Sequence, residues 1–226
     1  MSRKINRLSN KHAKKFLFAQ FKTLLPVMFV IYIPVVVLLV IIFFSKIPFE
    51  ILAADPLSIT KSPFYYGAIS NIGVLFWCST ASVCFFCFAI FFNKKIKKEF
   101  SQFFLFSGSL TSLLLLDDLF LLHEEVFPKY LNVSEKCVAV IYGIIALLYL
   151  IKFRKTILKT EFILLILAFI FFGLSLIIDN IGIITYFFKK AHLLISIFKL
   201  LGIITWFSYF SRTCIGVINP VLSLLR

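Results

Sequence analysis

The chain has 226 residues, of which 61% are apolar and only 15% charged, with a mean hydropathy of +1.02 and a net charge of +14. An ordinary soluble domain carries about 25% charged residues, and a single core of this size cannot hide thirty phenylalanines behind a wettable surface. The composition excludes a water-soluble globular domain; the basic residues, scattered in short pieces between apolar runs, also exclude a nucleic-acid-binding module.

Residues 1–23 form a basic arm, SRKINRLSNKHAKKFLFAQFK from Ser2 to Lys22, suited to anchoring on anionic lipid. The apolar run after it exceeds the roughly 7–15 residues of a signal-peptide core and lacks an A-x-A site, so it is expected to stay attached. A membrane-crossing helix needs about 20 mainly apolar residues. Six stretches qualify: about Leu24 to Ser45, with Pro26 and Pro34 inside it, then about Tyr66 to Asn93, Ser101 to His123, Lys136 to Phe153, Ile157 to Asp179 and Ala191 to Ser211. They predict an all-α polytopic membrane bundle of six spans over residues 24–212, followed by a short tail at 213–226. The connections are too short for a separate soluble domain. Cys78, Cys84, Cys87, Cys137 and Cys214 lie mostly within apolar stretches, which fits neither a secreted disulfide framework nor a zinc pattern. The CFFC of Cys84 to Cys87 reads as packing.

Lysine and arginine set the direction. Seventeen fall before the first span, between the second and third, between the fourth and fifth, and after the sixth; six fall in the opposite loops, and Lys199 lies inside the last span. The positive-inside rule places both termini in the cytoplasm, in a cell inner membrane.

The stretch LLLLDDLFLLHEE, Leu113 to Glu125, sets two adjacent acids in hydrocarbon. At 1.5 Å per residue, Asp117 lies roughly 24 Å above Ser101, in the outer part of a hydrocarbon layer about 30 Å thick. The fifth span ends at the same depth in LSLIIDNIG, with Asp179, and the sixth descends from it in KKAHLLISIFKLLG, with His192 and Lys199. Asp117 and Glu124 share one helical stripe; Asp118 and Glu125 share its neighbour. Lys199 is predicted to meet Asp117 or Asp118, with His123 and Glu124 level with His192 at the mouth. An acid or lysine at mid-membrane costs about 2.5–3.5 kcal/mol, so a lysine, a metal, a proton or water has to compensate the pair. The bland alternative is an Asp–Lys bridge that locks helices, with Glu124 and Glu125 in loop water. Asn71, Ser79, Ser82, Ser107, Ser109, Thr111 and Ser112 read as helix-packing residues, the hydroxyls bonding carbonyls of their own helices.

At LLLLDDLFLLHEEVFP and FKLLGIITWFSYFSRT the chain resembles a set of uncharacterised bacterial and cyanobacterial multi-pass membrane proteins, over roughly Phe103 to Arg212. A cyanobacterial source would imply a thylakoid location as an alternative. Asp117 and Asp118 followed by an apolar helix also resemble the acidic helix of the alkaline ceramidase-type membrane hydrolases. That likeness implies zinc held by histidines with an acid nearby, although the paired H-x-x-x-H appears here as His192 and Ser196.

The leading expectation is an extracytoplasmic pocket that binds a cation, proton or polar head group. Its candidates are Asp117, Asp118, His123, Glu124, Asp179, His192 and Lys199. A divalent metal, zinc or iron, would use Asp118, His123, Asp179 and His192. A metal-dependent hydrolase acting on lipid is the runner-up, with a metal-bound water as nucleophile. A third reading is an accessory subunit of a larger membrane complex, needing none of these polar groups. The partners expected are the lipid bilayer and a second copy or a larger complex.

Overall fold

The computed structural model describes residues 18, 22, 24–26, 28, 29, 32–44, 48, 51, 52, 54–92, 98–180 and 191–223. The chain divides into two units, Met1–Tyr66 and Gly67–Arg226. The first contains an apolar helix, α1 (Tyr32–Phe44), and a short helix, α2 (Pro56–Thr60). Asp55 starts α2: its Oδ1 accepts the backbone N–H groups of Leu57 and Ser58 at 2.7 and 3.2 Å, and Pro56 occupies the first position, where no donor is needed. The expected first span, Leu24 to Ser45, lies partly outside the described residues.

The second unit comprises α3 (Ala68–Phe92), α4 (Lys98–Phe120), a π-helical turn (Leu122–Val126), α5 (Phe127–Leu131), α6 (Glu135–Ile157), α7 (Phe162–Asn180) and α8 (Ala191–Ser223). No strand occurs among the described residues. The five long helices are long and apolar enough to cross a membrane, so the described residues supply five of the six expected spans. Their outward faces are hydrocarbon: Leu75, Ile144, Leu148, Ile163 and Leu176 are all exposed, as lipid-facing positions require.

Three boundaries differ from the sequence expectation. The third expected span stops at Phe120 instead of reaching His123, because Leu121 turns left-handed at φ 50°. The fourth runs on to Ile157, so α7 begins at Phe162, beyond a turn closed by the Lys159 and Thr160 N–H groups on the Thr156 and Ile157 carbonyls. The last helix continues to Ser223, well past Ser211.

Helices α3, α4 and α8 form the centre. Trp77, Phe91, Phe103, Phe104, Trp206, Tyr209 and Phe210 are buried there, and Trp77 stacks on Phe172 of α7 with ring centroids 5.8 Å apart. Large rings fill volume in few rotamers, so aromatic contacts replace the mixed aliphatic packing of a soluble core. Cys87 of α3 is bonded to Cys214 of α8, a pairing the sequence does not announce; the two helices run side by side and bring the positions to 6.3 Å between Cα atoms.

Helix α6 is held differently, largely by hydroxyls. Tyr142, Tyr149 and Thr156 recur every seven residues on one stripe. They meet Asp117 at 2.9 Å, Ser107 at 2.7 Å and Glu99 at 2.7 Å, all on α4. These contacts run α4 and α6 antiparallel and give the unit two ends. The basic end carries Arg154, Lys155, Lys159 and Arg212; the acidic end carries Asp117, Asp118, Glu124, Glu125, Glu135 and Asp179.

Candidate functional site: a carboxylate pair at the acidic end

The backbone at the end of α4 builds the site. Leu121 in the left-handed region costs a non-glycine residue roughly 1–2 kcal/mol. The π-helical turn that follows accepts this: the N–H groups of Glu125 and Val126 both reach the Leu121 carbonyl. The reversal folds His123 back over Asp117. Its backbone N–H donates to Asp117 Oδ1 at 3.0 Å and its Nδ1 lies 2.5 Å from Oδ2, so one carboxylate caps the turn and orients the imidazole. Tyr142 of α6 donates its hydroxyl to the same Oδ1. Asp117 is thereby buried to 4% exposure with both oxygens occupied.

Asp118, one residue on, faces the central helices. Its Oδ2 accepts the indole N–H of Trp77 at 2.8 Å, and Lys199 Nζ of α8 lies 2.7 Å from Oδ1. Below this pair Trp206 contacts Trp77 edge-on at 6.2 Å and donates its N–H to Thr111 at 3.1 Å. Every oxygen of the two carboxylates therefore accepts a donor from the protein.

His123 is the group left partly open. Its side chain is 22% exposed, and Nε2 lies 3.5 Å from Glu124 Oε1. The hydrogen bond to Asp117 raises its pKa above the ordinary 6.5, against the opposing effect of partial burial. Nδ1 is turned to the Asp117 carboxylate, which leaves Nε2, beside Glu124, as the other nitrogen of the ring.

Of the sequence candidates, Asp118 and Lys199 come together, as do Asp117, His123 and Glu124. Asp179 lies exposed near the end of α7. His192 lies in the first turn of α8, and its side chain is outside the described residues. Among the described residues no three His, Cys, Asp or Glu side chains are grouped to hold a metal ion. Two members of the cluster, Trp77 and Tyr142, escape a sequence reading that follows charge alone. Their signals are weak but present: Trp77 is one of two tryptophans in the chain, and Tyr142 opens the seven-residue stripe on α6.

Comparison with curated proteins and with solved structures returns no match to the chain, the ceramidase-type hydrolases included. A family model does match, over residues 28–213, and it is described as a domain of unknown function, DUF8692. That match spans most of the sequence and the whole of the carboxylate site, and the chain belongs to the DUF8692 family.

Proposed function

We propose that the acidic end is a reversible proton-binding site of a multi-pass inner-membrane protein, facing the non-cytoplasmic side, with His123 as the group that gains and loses the proton. The observation that carries this reading is the full occupancy of the two carboxylates. A hard cation needs several free oxygens, whereas all four here already accept protein donors. What remains exchangeable is the imidazole proton. Charge supports the same choice: a protonated His123 stands between Asp117 and Glu124, and its deprotonation takes away the cation those two acids share at the membrane edge, where unbalanced charge is costly. Protonation of His123 thus couples the pH outside to the junction of α4, α6 and the π-helical turn.

Histidine-selective NMR titration of the full chain in micelles tests the reading. His123 is expected to titrate above 6.5 in the wild type. In Asp117→Asn, which removes the charged acceptor and the largest cause of the rise, the value should fall. A wild-type His123 that titrates at or below the ordinary value, or one indifferent to Asp117→Asn, sinks the proposal.

A further inference from the structure

At the opposite end of the second unit, α6 and α7 leave between them a groove of about 590 Å3, lined by Leu150, Arg154 and Leu158 on one side and Phe162, Ile166 and Phe169 on the other. Every residue lining it is apolar except Arg154. From Phe162 to Ile170 the α7 side extends about 12 Å into the apolar layer, the reach of a substantial part of an acyl chain.

Arg154 sits one turn before the end of α6, at the basic rim, and forms no ion pair among the described residues. The acids near it are taken. Glu99 is held by Thr156 and by Lys159 at 3.0 Å, and Glu161 by Arg212, whose Nη2 lies 2.6 Å from Oε1. A protein helix from this chain would not supply the missing charge. The apolar segment 24–45 contains no acid at all, α3 and α8 contain none, and the acids of α6 and α7, Glu135 and Asp179, lie at the other end. An occupant that fits therefore brings its own anion and its own hydrocarbon.

We propose that the α6–α7 groove is a binding site for one anionic phospholipid, its phosphate on Arg154 and an acyl chain along Leu150, Ile166 and Phe169. A guanidinium matches a phosphodiester through paired N–H donors, and a low-dielectric rim strengthens that contact.

The test is native mass spectrometry of the full-length protein released from micelles containing either phosphatidylglycerol or phosphatidylcholine of identical acyl composition. Wild type should retain one phosphatidylglycerol with about tenfold preference over phosphatidylcholine, and Arg154→Gln should lose that preference. Ile166→Trp, which fills the groove and leaves the arginine in place, should lower retention of both lipids. Equal retention of the two lipids by wild type, or an unchanged preference in Arg154→Gln, overturns the proposal. If Arg154→Gln does not purify folded, the wild-type preference and Ile166→Trp decide. A disulfide formed between Leu158→Cys and a cysteine placed in segment 24–45 also overturns it, because the groove then belongs to the chain's own first apolar helix.

Discussion

Asp117 and Asp118 are neighbours in sequence but 100° apart around α4, so one faces the turn and α6 while the other faces α3 and α8. Each acid thereby acquires its own donors. Replacing Lys199 with methionine leaves Asp118 charged beside a single indole N–H. The expected loss is about 2 kcal/mol, below the roughly 3–5 of a fully buried pair, because Lys199 is 41% exposed. The double variant Asp118→Leu/Lys199→Met should be more stable than Lys199→Met alone, since no unpaired charge remains; thermal unfolding in micelles measures both. His123 adds a pH dependence of definite sign. Its folded pKa is raised, so its contribution is complete below 6.5 and is lost as pH rises through the folded value. Melting temperature is expected to fall on going from mildly acidic to alkaline solution, and His123→Gln should flatten that slope.

Among the helices, close approach and polar stitching divide the labour. At Gly202 of α8 an added Cβ would lie 2.6 Å from Phe172 Cε1, and that ring is confined by its stacking on Trp77 and its edge contact with Trp206. Gly202→Ala should cost about 1–3 kcal/mol. A Cβ added at Gly143 of α6 would meet no neighbouring group within 4 Å, so Gly143→Ala should be neutral or stabilise by up to about 1 kcal/mol. Paired melting curves of these two variants separate helix packing from helix propensity. The hydroxyl stripe Tyr142, Tyr149, Thr156 is visible in the sequence once the seven-residue spacing is sought, but its partners on α4 are not, since nothing local specifies which helix lies opposite. The left-handed Leu121 is equally hidden, because a leucine carries no turn signal.

For the second unit as a whole, the separation of a basic end from an acidic one gives a directional expectation. In the orientation proposed above, Arg154, Lys155 and the C-terminus would lie in the cytoplasm and the carboxylate site on the other face. A C-terminal reporter should be active only in its cytoplasm-dependent form, while a reporter fused after Leu131 should behave oppositely. Length, hydropathy and charge alone determined that the chain is helical, with stretches long and apolar enough to cross a membrane, and that polar groups of α4 and α8 share one depth, because helix rise converts residue number directly into height. Azimuth is another matter. Which way each helix turns its faces depends on which neighbour it packs against, and only the tertiary structure decided that Lys199 meets Asp118, that His123 doubles back onto Asp117, and that Cys87 meets Cys214. In hydrocarbon, where nearly every face is apolar, rotation about the helix axis leaves too weak a trace in the sequence to be read; it is set by ring packing and by the few hydrogen bonds that have to be satisfied.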